Sequence, residues 1–175
     1  METIFVRNIT EIKKAIPEWK KKATIKITLE GNKATIEGTP VEELETQQML
    51  DAISFGFSAK KALILKEPDM QFKKLHIKTY NPRRTLESIK SRVIGTFGRT
   101  KNTIEEISNT DIVIGEAEVG IIGHAENINE AETALINVIR GSKQANAYSF
   151  LERMNREKKK QPDDLGIIDP KAKKD

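Results

Sequence analysis

The chain has 175 residues, no cysteine and two histidines, with 37% hydrophobic, 32% charged and 5% aromatic residues and a formal charge of +4. Without cysteine there is no disulfide, thiolate nucleophile or sulfur-held zinc; two distant histidines give a catalytic triad or a metal site little to work with, and no stretch is apolar enough to span a membrane. The length fits one domain or two small ones, the basic balance fits a polyanionic partner, and the few aromatics argue against a broad base-stacking platform.

Residues Glu2 to Arg7 alternate around Ile4 and Val6 and read as a strand, with no apolar core of a signal peptide, so a cytoplasmic location is expected. Ile9, Ile12, Ile16 and Trp19 recur at helical spacing, and Pro17 is expected to kink or restart that helix. The lysines beside them, Lys13, Lys14 and Lys20 to Lys22, mark either a solvated face or an RNA contact. Ile25, Ile27 and Leu29 alternate with polar residues, Gly31-Asn32 turns the chain, and Ala34 and Ile36 return as a strand. From Pro40, the residues Val41, Leu44, Gln48, Leu50 and Ile53 give a helix. Phe55-Gly56-Phe57 interrupts it and reads as core packing at a helix junction, in preference to a base-stacking pair. Ser58 then opens a short helix through Ala62, Leu63 and Leu65, which Glu67-Pro68-Asp69 ends.

Leu75, Ile77 and Thr79 alternate with polar residues as a half-buried strand, turned at Asn81-Pro82. Leu86, Ile89, Val93 and Ile94 form the apolar side of a helix that carries Arg83, Arg84, Lys90 and Arg92 outside. Ile104 and Ile107 continue an apolar face in a further helix ended by Asn109. Ile112 to Ile114 and Val119 to Ile122 read as paired strands, and Asn127 as the cap of a long helix closed by Gly141. Ser142 to Lys160 is helical, with Ala145, Tyr148, Leu151 and Met154 inward. Its basic end, Arg153, Arg156, Lys158, Lys159 and Lys160, is either an RNA contact or a solvated terminus. Residues 161–175 read as a disordered tail, with Leu165, Ile167 and Ile168 as a candidate docking patch.

Between two of these helices lies Gly95-Thr96-Phe97-Gly98-Arg99-Thr100-Lys101. Two glycines at this spacing permit a sharp bend with close approach to the backbone amides, and a helix start with Arg99 and Lys101 beside it suits phosphate. The spacing is too short for a nucleotide-binding P-loop and lacks the third glycine of a dinucleotide site. It fits the GxxG loop of KH domains, which clamps about four nucleotides of a single strand. The order strand, helix, loop, helix, strand, strand, helix is that of a type I KH domain.

An offset of 85 positions, that between Gly38 and Gly123, lays Ile27, Leu29, Ala34 and Ile36 over Ile112, Ile114, Val119 and Ile121. Gly95 and Gly98 then fall on Thr10 and Lys13, so the first copy is expected to keep the fold without the clamp. The fold class is α+β: two tandem type I KH-like domains, each a three-stranded sheet packed by helices, the first degenerate and the second intact. The boundaries are 1–69 and 70–141, with a C-terminal helix over 142–160 and the tail at 161–175.

Phe55-Gly56-Phe57-Ser58 with Lys61-Ala62-Leu63, Ser91 to Lys101, Asp111 to Ile114, Ile122-Gly123, Ala131, Ala134 and Tyr148 resemble the Dim/Pno group of KH proteins, relatives of Krr, in its archaeal form. The resemblance implies a small-subunit ribosome assembly factor that binds near the 3′ end of the pre-16S rRNA. It further implies cooperation with a Nob-type endonuclease on the pre-small subunit, and contact with the alpha subunit of initiation factor 2. The chain departs from the group at Thr96-Phe97, where a basic or glycine-containing pair is usual; the change either weakens binding by the loss of a lysine contact or offers the Phe97 ring to a base.

The candidate RNA-binding residues are Arg92, Ile94, Gly95, Thr96, Phe97, Gly98, Arg99, Lys101, Ile104, Ile112 and Ile114, with Arg83, Arg84, Arg153, Arg156 and Lys158 as further contacts. Bases would lie between Ile94 and Ile104 on one wall and Ile112 to Ile114 on the other. No cofactor, metal or membrane is expected. The rival readings are a protein-interaction scaffold with incidental RNA binding, and an RNA-directed enzyme using Asp111, Glu116 and Glu118 as metal carboxylates.

Overall fold

The computed structural model describes residues 2–22 and 24–160. Among these the chain runs β1 (Glu2–Phe5), α1 (Ile9–Lys22), β2 (Lys26–Glu30), β3 (Lys33–Glu37), α2 (Pro40–Phe55) and α3 (Ala59–Ala62) with a 3-10 turn over Leu63–Lys66. It continues as β4 (Met70–His76), α4 (Ile77–Tyr80), α5 (Leu86–Ile94), α6 (Arg99–Ser108), β5 (Asp111–Ile114), β6 (Glu118–His124), α7 (Ala125–Arg140) and α8 (Gln144–Lys160). The strands make two three-stranded antiparallel sheets ordered β1-β3-β2 and β4-β6-β5. No helix among the described residues is long and apolar enough to cross a membrane.

Local chemistry sets the element boundaries. α2 starts in a capping box: the Glu42 amide donates to the Thr39 hydroxyl, and the Thr39 amide donates back to the Glu42 carboxylate at 3.2 Å. Gly56 and Gly141, at φ 130° and 112°, close α2 and α7.

The offset of 85 holds well beyond the strands. It carries α2 onto α7 end for end, Gly56 onto Gly141, and the first residue of α3 onto that of α8. Ala62 of α3 and its counterpart Ala147 of α8 are both fully buried. Thus α3 and its 3-10 turn stand where α8 stands in the second half. The single helix α1 replaces α5, the glycine loop and α6.

Several expectations are corrected here. α1 does not restart at Pro17: one helix runs through it, burying Ile12, Ala15 and Trp19, while Pro17 and Lys13 face water, so the carbonyl that loses its partner lies on the solvated side. α2 buries Thr46, Met49, Leu50, Ala52 and Ile53, leaving Val41 and Leu44 at 66% and 56% exposure. The strand expected around Leu75 to Thr79 spans Met70–His76 instead: the Ile77 amide still donates to Ala117 as the next rung of the β4–β6 ladder, but the Asn81 amide donates to the Ile77 carbonyl and winds Ile77–Tyr80 into α4. Asn127 does not cap α7, which starts two residues earlier; it accepts a bond from Lys158 Nζ at 2.7 Å. Ala147, not Ala145, is buried in α8 with Leu151. The disorder and docking readings for 161–175 lie outside the described residues.

The second sheet is covered on both faces. Leu75, Ile112, Val119 and Ile121 point into the core with Ile89, Val93, Ile104 and α7. Alternation sends Phe72, Val113 and Ile122 the other way, against the core of the first half. There Phe55, Phe57 and Phe72 meet with ring centroids 5.7 to 6.3 Å apart, so the paired phenylalanines are core residues at a helix junction. Gly120 makes room for them: a Cβ there would lie 2.7 Å from the Phe55 ring. Lys61 to Asp111 and Lys74 to Asp51 are ion pairs across the same seam.

Candidate nucleic-acid interface

The loop is built from the α5 side. Thr85 accepts from the Ser88 amide at the start of α5, Ile89 and Val93 bury its inner face, and the Gly95 amide donates to the Ser91 carbonyl at 2.9 Å. Gly95 then takes φ 73° and ψ 174°, a combination open essentially to glycine. The Gly98 amide donates back to the Gly95 carbonyl at 3.2 Å, closing a tight turn over Thr96 and Phe97. Phe97 at φ 53° and Gly98 at φ 74° are both left-handed, and α6 starts at Arg99 with no side chain capping it. Phe97 is 99% exposed. An apolar ring held in an uncommon backbone conformation and wholly in water contributes nothing to the core.

The cations near the loop are not equivalent. Arg99 is exposed and makes no ion pair among the described residues. Lys101 pairs with Glu105 at 2.9 Å, and the other oxygen of that carboxylate accepts from the Ile112 amide at 2.7 Å. Arg92 donates to the carbonyls of Ser142 (2.7 Å) and Val138 (3.4 Å), fastening the C-terminal end of α7 beside the loop.

The apolar residues also separate. Ile94 is 37% exposed and Ile114 half-buried, while Ile104 and Ile112 are sealed in the core beneath them. β5 is an edge strand whose Gly115 amide donates to Glu118 of β6. Antiparallel alternation then turns the backbone groups of Ile112 and Ile114 outward, in agreement with the Glu105 cap on the Ile112 amide. The loop, the start of α6, Ile94, Ile114 and this free edge therefore share one face.

The outlying basic residues lie elsewhere. Arg83 and Arg84 precede α5, about 13 Å of helix from the loop. Lys158, near the far end of α8, is held by Glu130 at 3.0 Å and by Asn127, and Arg153 lies over the Phe150 ring. Two residues that sequence reasoning did not bring to the loop are there: Gln144 and Tyr148 of α8 flank a cleft with Gly95, Arg99 and Thr100. Nothing in a stretch of sequence more than 40 positions away signals that contact, whereas the Lys101–Glu105 pair could have been read from its helical spacing. Asp111, offered as a metal carboxylate, is paired with Lys61 at 2.5 Å, and no three His, Asp or Glu side chains among the described residues come together as a metal set.

Comparison with known proteins supports a KH-type fold for the second half. Residues 71–156 match the model of the second KH domain of PNO1, described as a eukaryotic type KH domain of type I. Residues 71–156 match a PNO1-family KH domain, and the chain resembles the Pno/Dim-type proteins. The RNA-binding protein pno1 of Ixodes scapularis is 32% identical over 106 residues, 59% of this chain and 45% of that protein. The pre-rRNA-processing protein pno1 of Emericella nidulans is 27% identical over 116 residues, 62% of this chain and 43% of that one. The chain thus spans about half the length of the curated relatives it matches. Among solved structures, Dim2p of Pyrococcus horikoshii superposes with TM-score 0.78 at 26% identity, covering 87% of this chain and 98% of that one. A complex of aDim2p with a/eIF2α and rRNA from the same organism matches in fold, with TM-score 0.78 at 24% identity over 89% and 94% of the two chains.

Proposed function

We propose that this Pno/Dim-type chain binds single-stranded RNA at the glycine loop, as a small-subunit ribosome assembly factor acting near the 3′ end of pre-16S rRNA. The observation that carries the reading is the loop itself: two positive-φ glycines, a fully exposed Phe97 between them, and an uncapped helix start directly after. Backbone amides and the exposed Arg99 hold phosphates, Phe97 stacks on a base, and Ile94, Ile114 and the free edge of β5 meet base edges, with Ile104 and Ile112 supporting them from below. The first half, which lacks the loop, serves as a KH-like module without a clamp. The names of the relatives, RNA-binding and pre-rRNA-processing, support the assignment to ribosome assembly. Cooperation with a Nob-type endonuclease and contact with the initiation factor 2 alpha subunit belong to the same proposal, the latter supported by the aDim2p complex.

Replacing Thr96 and Phe97 with aspartates puts two negative charges where phosphate would sit, at positions that carry no core packing. Affinity for a single-stranded oligonucleotide, read by fluorescence anisotropy, should fall at least tenfold while the melting temperature stays within about 2 °C. Unchanged affinity at fixed salt rejects the site. A protein-interaction scaffold is the second reading, favoured by Phe5, Val41 and Leu44, which are 67%, 66% and 56% exposed on the first half. A scaffold would show weak RNA affinity with little salt dependence.

A further inference from the structure

Adjoining the clamp, and sharing Gly95, Thr96 and Arg99 with it, is a cleft of about 370 Å³ between the loop and the start of α8, within the size range of small-ligand sites. Its lining holds two arginines and no carboxylate, whereas the larger clefts elsewhere on the chain carry Asp51, Glu116 and Glu118, or Asp69 and Glu126. Anions are therefore favoured here in particular. Thr100 is only 4% exposed, yet its hydroxyl has no hydrogen-bond partner among the described residues. Every fully enclosed side-chain polar atom among those residues is paired, so the Thr100 hydroxyl keeps some access to solvent, and Thr100 lines the cleft. Opposite stand Gln144 and Tyr148, both half-buried and both without a side-chain partner among the described residues. The Gln144 amide offers a donor and an acceptor together, as a base edge requires, and the Tyr148 ring offers a flat surface.

We propose that this cleft is a subsite for one further nucleotide of the RNA strand, its phosphate on Arg99 and the Thr100 hydroxyl and its base against Gln144 and Tyr148. The inference rests on the reading of the loop as a single-strand clamp, and it extends the binding track around the loop onto α8. α8 is then part of the RNA site as well as a brace for α6 and α7.

The test compares oligonucleotides of four and six residues, the longer extended at either the 5′ or the 3′ end, against the full chain and its Gln144→Glu variant. A carboxylate in the first turn of α8 is favourable to the helix, so the variant should fold. The wild type should gain about tenfold in affinity from extension at one end only. In Q144E that gain should shrink to about twofold or less, with tetranucleotide affinity unchanged. A 4-thiouridine in the added position should crosslink to the peptide containing Tyr148. Failure to bind even the tetranucleotide would refute the clamp. Tetranucleotide binding with no gain on extension, a gain that survives Q144E, or crosslinks confined to α5 and β5 would refute the subsite alone.

Discussion

Exchanging Gly95 for alanine should damage the fold far more than the same change at Gly98, although the two glycines look alike in sequence. At Gly95 a Cβ would lie 2.1 Å from Thr100 Oγ1 and 2.7 Å from both the Cβ and the backbone nitrogen of Thr100. The backbone atom cannot swing away, and Thr100 is buried, so relief requires α6 to shift. Overpacking of this kind costs about 1–3 kcal/mol. The backbone at φ 73° and ψ 174° adds about 1–3 kcal/mol for a residue with a Cβ. Reduced freedom of the unfolded chain returns only about 0.4–1 kcal/mol, which leaves a loss of about 3 kcal/mol. At Gly98 nothing lies nearer than 3.8 Å, and φ 74° with ψ 7° is ordinary left-handed geometry, so the net cost is about 1 kcal/mol. Guanidinium unfolding with linear extrapolation resolves the difference. Should G95A lie within about 1 kcal/mol of G98A, the loop does not pack on the start of α6 as described.

Three further predictions address the neighbourhood of the loop, the seam and the first half. Glu105→Gln releases Lys101 while keeping an oxygen for the Ile112 amide, so RNA affinity should rise and the slope of log K against log salt steepen by about 0.7, one added phosphate contact on a single strand; an unchanged slope would show that Lys101 does not reach the RNA. Gly120→Ala drives a methyl to within 2.7 Å of the Phe55 ring and 2.9 Å of Phe57, and should lower stability by about 2 kcal/mol, partly restored by Phe55→Leu in the same chain. Wild-type stability in the single variant would mean the second sheet does not rest on that aromatic corner. The Glu42 carboxyl is held below its usual range, first by the Thr39 hydroxyl and then by the amides of Thr39 and Thr24. A lowered carboxyl contributes stability that is present above its unfolded value and lost as pH falls through the folded one. Thr39→Ala should therefore weaken the fold at neutral pH, and the deficit should shrink below the ordinary carboxylate range; a deficit constant from pH 7 to pH 3 would contradict the cap.

Much of the architecture was legible because it rests on local rules. Period-two and helical patterns located most strands and helices, Gly141 and Asn109 marked helix ends through positive φ, and the 85-residue offset lays α2 over α7 and the start of α3 over that of α8. The errors came where tertiary packing overrode local pattern. Ile77 looks like a strand residue and keeps one more rung to Ala117, yet it is buried in the second core as the first residue of a helical turn closed by Asn81, and Val41 looks like core until the packing of α2 selects the face of Met49 and Ile53.

The same division holds for the candidate site. The glycine pair, Phe97 and Arg99 are adjacent in the chain, so their spacing alone proclaims a bend ahead of a helix. Which cations stay free, which isoleucines sink into the core, and that Gln144 and Tyr148 stand beside the loop were decided only in three dimensions. In the loop, backbone conformation is dictated by the glycines and their immediate neighbours, but charge pairing and solvent access depend on surfaces that meet only after the chain has closed on itself.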